Sequence, residues 1–296
     1  MIKKTQSQKT KVLKKPKVTH SKGLFKLKNK VKEFPKETKT KARVKPERVF
    51  TGIVGFDKLL GTGIPKGNSV LIEGGPGSGK TNFCLNVAYN FCEQGKKVLY
   101  MSFEEAEDRL IQHMESCGWN VQKHIDKGLL KIKRFDALDI SRSVEALLSA
   151  AKKELLIDIK PVLFPKDFQP ELVLMDSLTS ISSAFSGEEN RFRIYIEQLF
   201  RYLERSKITS ILIREVASPA HIGQTGFEKG EAISFLSDGI IVVYNVVYNN
   251  GERKRAIEVL KMRGVEIDRR IVKMSITKKG IKVFPKNVLK GEFQLT

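Results

Sequence analysis

One eight-residue stretch constrains this chain more than any other: Gly74, Gly75, Pro76, Gly77, Ser78, Gly79, Lys80 and Thr81. It fits the pattern G-x-x-x-x-G-K-[ST]. The residues just before it, 68–73, form a short apolar run that reads as a buried strand. After it, apolar residues recur at Cys84, Leu85, Val87, Ala88, Phe91 and Cys92, the spacing of one helix face. Strand, glycine loop and helix start therefore come in the order that a phosphate-binding loop requires. Glycines let backbone N–H groups approach a polyphosphate closely, and a helix N-terminus adds partial positive charge. Lys80 is expected to reach the β- and γ-phosphates, and the Thr81 hydroxyl to ligate Mg²⁺.

Charge divides the chain. The net charge is +21 over 296 residues, but residues 1–50 hold 18 Lys/Arg against 3 Glu, and the other 246 hold 36 against 30. The segment 1–46 is rich in Lys and Thr and poor in aliphatic residues. It cannot bury enough apolar surface to offset its ordering entropy, so it reads as a disordered basic tail. One island within it allows another reading. Leu24, Leu27, Val31 and Phe34 recur at spacings of three and four among Lys22, Lys26, Lys28, Lys30 and Lys32. That rhythm would suit a basic amphipathic helix formed on an acidic partner: nucleic acid, an anionic membrane surface or a protein groove. Nucleic acid leads among these, because lysines release its condensed counterions whatever the base sequence. Three cysteines without a pairing pattern point to a reducing compartment. With no apolar run long enough for a membrane span and no secretory leader, a soluble cytoplasmic protein is expected. The four histidines show no metal-ligand spacing, and zinc is not expected.

The segment 48–67, with Thr51-Gly52, Gly55-Phe56-Asp57, Leu59-Leu60-Gly61, Gly63-Ile64-Pro65 and Gly67, stands directly before the strand and loop. It fits T-G-x-x-G-(L/F)-D-x-L-L-G-x-G-(I/L)-P-x-G and resembles the opening of KaiC-like ATPases of the RecA/RadA superfamily. Thr62 stands where that family more often has glycine. The resemblance runs over about residues 48–285. It implies a RecA-like P-loop NTPase core, with a mainly parallel sheet flanked by helices and a C-terminal β-hairpin region. Residues 47–296 would form this ATPase domain.

Further stretches fit the same frame. The run 97–101 reads as a strand ending in Ser102-Phe103-Glu104-Glu105. Acids at the C-terminal end of a parallel strand sit where such sheets place functional groups. Two acids opening a helix are also what its dipole favours. The resemblance implies that Glu104 or Glu105 polarises the water that attacks the γ-phosphate. Leu172–Asp176 is an apolar run ending in an acid, followed by Ser177-Leu178, as in the family; Asp176 would hold Mg²⁺ with Thr81. The strand 209–213 ends at Arg214-Glu215, where the family usually has a small polar sensor of the γ-phosphate. Arg214 would sit beside the phosphates or turn away to pair with Glu215. The stretches 182–190 and 216–231 read as loops, neither basic enough to funnel a nucleic-acid strand, which argues against a strand-exchange recombinase. Phe235–Tyr244 reads as a strand and Asn249-Asn250-Gly251 as a hairpin turn.

Finally, Lys261-Met262-Arg263 matches the K-x-R of KaiC-like proteins. In a strand its two cations share a face. The resemblance implies that Lys261 and Arg263 act as catalytic fingers in the neighbouring subunit's site; ordinary surface charge at a strand end is the plain alternative. Such fingers require a head-to-tail homo-oligomer, a ring such as a hexamer or a filament. The histidine usual after this motif is replaced by Glu266 and Asp268.

The expectation is thus a Mg²⁺-dependent ATPase whose nucleotide state gates partner binding. The alternatives are a nucleotide-binding regulator with little hydrolysis and a DNA-associated repair or recombination factor that uses the tail. ATP is expected rather than GTP, since no [NT]-K-x-D signature is present.

Overall fold

Short apolar runs that alternate with amphipathic helices can bury both faces only in a parallel sheet covered on both sides. The computed structural model has this architecture. It describes residues 47–150, 164–165, 167–216 and 231–295, except the side chains at 147–150 and 231–232. The basic segment 1–46 and most of the expected 216–231 loop lie outside the described residues.

In chain order the strands are β1 (Arg48–Val49), β2 (Ile64–Pro65), β3 (Ser69–Gly74), β4 (Val98–Ser102), β5 (Leu130–Arg134), β6 (Leu172–Asp176), β7 (Thr209–Glu215), β8 (Gly239–Tyr248), β9 (Arg253–Met262), β10 (Val272–Thr277), β11 (Gly280–Val288) and β12 (Phe293–Leu295). The helices are α1 (Lys80–Glu93), α2 (Glu107–Ser116), α3 (Gln122–Asp126), α4 (Ala137–Ala150), α5 (Leu178–Ala184), α6 (Glu189–Arg205) and α7 (Glu231–Leu236). β1 and β2 pair as a small antiparallel entry. The main sheet runs β11-β10-β9-β8-β3-β7-β6-β4-β5, with β12 on β8. From β8 to β5 all pairings are parallel. From β8 outward the chain folds back as antiparallel neighbours.

Strand alternation sorts the core into two layers. Val70, Ile72, Val98, Tyr100, Leu172, Leu174, Ile211 and Ile213 face one cluster with α1 and α2. Leu71, Leu99, Met101, Val173, Met175 and Leu212 face the other, with α5 and α6. Cys84 and Cys92 are free thiols inside the first layer. Burial pushes Cys92 up to about 12, so it packs as an apolar group.

Local expectations needed adjustment in four places. α3 was not anticipated, since five residues carry too little rhythm. The 182–190 loop shrinks, because α5 continues to Ala184 and α6 begins at Glu189. Phe235 closes α7 rather than opening β8. The sequence shows a helix rhythm through Ile194, Leu199 and Leu203, but Ile194 is exposed, whereas Phe192, Tyr195, Ile196, Leu199, Phe200 and Leu203 form the buried stripe of α6. At about 100° per residue Ile194 lies about 140° away from Leu199, off that stripe. Trp119, which beside Gly118 reads from the sequence as a packing anchor, stacks on Tyr89 at 5.0 Å between ring centroids.

Candidate active site

The loop 74–81 leaves β3 at its C-terminal end and enters α1. Gly74 has no room for a side chain: a Cβ there would stand 2.2 Å from the Val243 carbonyl oxygen. Gly79, the residue before α1, has φ 108°, a left-handed value that an L side chain resists. No side chain caps α1. Its first-turn N–H groups therefore remain an anion-attracting end. The Ser78 hydroxyl is buried without a hydrogen-bond partner. Lys80 folds back into the loop and donates to the Gly74 and Gly75 carbonyls at 3.0 and 2.9 Å. It also meets Glu215 Oε1 at 3.3 Å.

Two residues that sequence reasoning missed brace the loop from outside. Asn245 Nδ2 donates to the Pro76 carbonyl at 3.0 Å and Arg255 Nε to the Gly77 carbonyl at 3.2 Å. They are register partners across β8 and β9. Only the antiparallel pairing brings them together, and nothing in the local sequence announces it.

Beside the loop, β6 delivers Asp176. Thr81 Oγ1 and Tyr100 Oη each donate to Asp176 Oδ2 at 2.8 Å. Asp176 is 5% exposed. Burial raises its pKa to about 6, helped by the charges of Glu104 and Glu105 and opposed by the Tyr100 and Thr81 hydrogen bonds. Among the described residues no group of three or more His, Cys, Asp or Glu side chains could hold a metal ion by itself. A hydroxyl and a carboxylate meeting at one oxygen are nevertheless the donor pair that suits Mg²⁺, a hard cation that keeps waters and takes phosphate oxygens as further ligands. A bound cation would also offset the burial cost that the carboxylate now bears.

β4 ends in the two acids. Ser102 Oγ accepts from the Glu105 N–H at 3.0 Å and donates to the Glu105 carbonyl at 2.7 Å, pinning the turn. Glu104 Oε1 accepts from Ser177 Oγ at 2.6 Å and Ser180 Oγ at 2.7 Å. Glu105 instead faces His113, with 3.6 Å between Oε2 and Nδ1. The two acids are thus separated in role: Glu104 is held over the β6–α5 junction next to Asp176, and Glu105 leans toward α2.

At the end of β7 the structure decides what sequence left open. Arg214 does not pair with Glu215. It donates to Glu73 Oε1 at 3.1 Å and to Ser234 Oγ at 3.0 Å. Successive strand residues face opposite sides of a sheet, so Arg214 turns to the α7 layer and Glu215 to the loop and Lys80.

Lys261 and Arg263 stand elsewhere. The Lys261 ammonium donates to the carbonyls of Ser234 and Ser237 at 3.0 and 2.7 Å. Arg263 donates to Asp238 Oδ1 at 3.2 Å and the Phe235 carbonyl at 3.0 Å. Both thereby cover the C-terminal end of α7, where a helix favours positive charge. Burial, then Arg263, lowers the Lys261 pKa. A bulge precedes them: Ile240 pairs with Lys261 and Ile241 with Val259, leaving Leu260 extra. The bulge lets Leu260 and Lys261 share the α7 side of the sheet. Arg255 at the loop and Lys261 lie six strand residues apart, about 20 Å along β9. The finger pair is therefore not part of its own chain's phosphate site.

Comparisons with known proteins agree with this geometry. The family model described as "ATPase: KaiC" matches residues 49–288. A UPF0273 protein of Pyrococcus horikoshii is 33% identical over 260 residues, covering 82% of this chain and 96% of that protein. The circadian clock oscillator protein KaiC of Acaryochloris marina is 29% identical over 265 residues, 87% of this chain but only 47% of that longer protein. Among solved structures, a KaiC-like protein from Pyrococcus horikoshii OT3 matches with a TM-score of 0.63 and 28% identity, covering 81% of this chain and all of the other. With a RecA-like sheet, a phosphate loop and paired strand-end acids in place, this chain belongs to the KaiC family of P-loop ATPases.

Proposed function

We propose that this chain binds ATP with Mg²⁺ at the loop 74–81 and hydrolyses it within a head-to-tail ring, a hexamer, or a filament, its nucleotide state gating a partner. One observation carries the reading: the Thr81–Asp176 contact at 2.8 Å lies beside the Lys80 cradle and next to an acid, Glu104, held by two serine hydroxyls. When bound, Mg²⁺ supplies neutralisation of phosphate charge. Lys80 moves a cation to the β- and γ-phosphates, and the α1 N-terminus supplies N–H donors. Glu104 orients the attacking water by accepting its hydrogen bond, with Ser177 and Ser180 fixing the carboxylate. Lys261 and Arg263 are proposed to serve the next subunit's phosphates. Support comes from their position at the far end of β9 from their own loop and from the family's K-x-R pattern. The basic tail is proposed only as a partner-binding segment.

A second reading, a regulator that binds ATP and scarcely hydrolyses it, draws on Arg214, which is committed to Glu73 and Ser234 where a sensor would stand. Turnover decides between them. With Mg²⁺ and ATP the wild type should exceed Lys80→Ala and Glu104→Gln by about 10²–10⁴-fold, the range of a lost positioning acid. ATP binding without such a difference selects the regulator; no ATP binding removes both.

A further inference from the structure

The contact between Lys80 and Glu215 is not needed to build the loop. An ammonium has three donors. In Lys80 they are divided among the Gly74 carbonyl, the Gly75 carbonyl and Glu215 Oε1, and the side chain is buried. A phosphate oxygen arriving at Lys80 must take one of these places. The two carbonyls can release the lysine without being orphaned. Gly74 O also accepts from the Val216 N–H at 3.3 Å, and Gly75 O from the Ser78 N–H at 3.3 Å. Glu215 is 44% exposed along its side chain, so its carboxylate returns to water when the ion pair opens. Its backbone stays put, because its N–H donates to Thr179 Oγ1 at 2.8 Å and its register partner is Gly74. An acid is thus fixed beside the first glycine of the loop, with only its side chain free to swing.

We propose that Glu215 is a positioning residue that occupies the phosphate-binding lysine until a polyphosphate displaces it, so that it weakens ligands that engage Lys80 and no others. This rests on the nucleotide-binding reading above. It requires no bond making: one ion pair is exchanged for another. Such a competitor keeps Lys80 in its cradle between ligands, and a ligand whose phosphates do not reach the lysine's place leaves the ion pair intact.

The test is calorimetric binding of ATP, ADP and AMP with Mg²⁺ to the full chain and to Glu215→Gln, which keeps the shape and removes the charge. ATP and ADP should bind Glu215→Gln about fivefold more tightly, the order expected for losing a half-exposed ion pair. AMP should be unchanged, since its single phosphate does not reach Lys80; a general gain in fold stability would raise all three. Glu215→Asp should behave nearer the wild type. In a Lys80→Ala background Glu215→Gln should have no effect on ATP affinity. Equal or weaker ATP binding by Glu215→Gln, or the same gain without Lys80, overturns the competitor while the nucleotide reading stands. Failure of both the wild type and Glu215→Gln to bind ATP overturns the two together. Glu215→Ala provides the same comparison should Gln disturb the strand end.

Discussion

The hairpin β8–β9 has two ends with opposite habits. At the loop end, Asn245 and Arg255 spend their donors on carbonyls of the phosphate loop. At the far end, Lys261 and Arg263 spend theirs on the carbonyls of Ser234 and Phe235 in α7 and of Ser237 just beyond it. The loop end is rich in acids: Glu104, Asp176 and Glu215 gather there, and Lys80 is matched by Glu215. The far end sets two adjacent cations against Asp238, whose other oxygen is already taken by the Ser69 N–H at 3.0 Å. One end is organised around its own chain's phosphate site. The other carries two cations that, among the described residues, form one ion pair, between Arg263 and Asp238, a balance that would suit a further anion. A head-to-tail assembly would bring the two ends together between neighbouring copies.

The largest expected effect breaks or keeps that contrast outright. Arg263→Ala, and Lys261→Ala with it, should lower ATP turnover on the order of 10³-fold, as for other trans-acting cations at a transferring phosphate. Mixing Arg263→Ala subunits with Lys80→Ala subunits should then recover activity, because one supplies the intact loop and the other the intact fingers. A mixture no more active than its separate components would mean that the far end serves only α7.

A smaller effect sharpens the electrostatic half. The folded-state pKa of Asp176 is raised from 3.8 to about 6, chiefly by burial. Its protonated form therefore favours the fold; that contribution is complete below about pH 4 and is lost as pH rises through about 6. Asp176→Asn should stabilise the nucleotide-free protein at pH 7 by about 1–3 kcal/mol and flatten its stability between pH 4 and 7. Urea unfolding across that range is the measurement, and an unchanged pH profile would show that the site's acids carry no stored cost. The same variant should lose Mg²⁺-dependent nucleotide binding.

The smallest effect concerns the brace. Arg255→Ala should weaken ATP binding about three- to fivefold by freeing the Gly77 carbonyl, a loss of one charge-assisted hydrogen bond at an exposed position. Its unfolding midpoint should stay within about 0.5 kcal/mol of the wild type. A collapse of folding instead would make the hairpin, not the loop, the beneficiary of that bond.

Much of this was legible in the chain because its signals are local. The loop 74–81, the acids at 104–105 and 176 and the K-x-R at 261–263 each combine a strand or turn signal with a charged residue a few positions away. The strands β3, β4, β6 and β7 were marked by their apolar runs, and the mainly parallel sheet was implied by the family resemblance. What escaped were contacts made by register. Asn245 and Arg255 reach the loop through pairing across the β8–β9 turn. Tyr100 meets Asp176 because β4 and β6 are neighbours, and Arg214 meets Glu73 because β7 and β3 are. Of the two places left open for Arg214, the pairing with Glu215 could have been set aside from sequence alone, since adjacent strand residues point to opposite faces.

The extra residue at Leu260 has a consequence for how such a protein could change. A strand is a two-state counter: each added or removed residue inverts which side every later residue addresses. In β9 the bulge resets that count, so Lys261 rather than Leu260 stands opposite Ile240. Deleting Leu260 would straighten the strand and leave Lys261 opposite Ile240, on the α7 side. Flattening the bulge with Leu260 kept would instead put Leu260 opposite Ile240 and turn Lys261 to the face of Val259. The aim of this cation thus rests on an irregularity in the ladder, and the chain tolerates a loss at this point better than a repair.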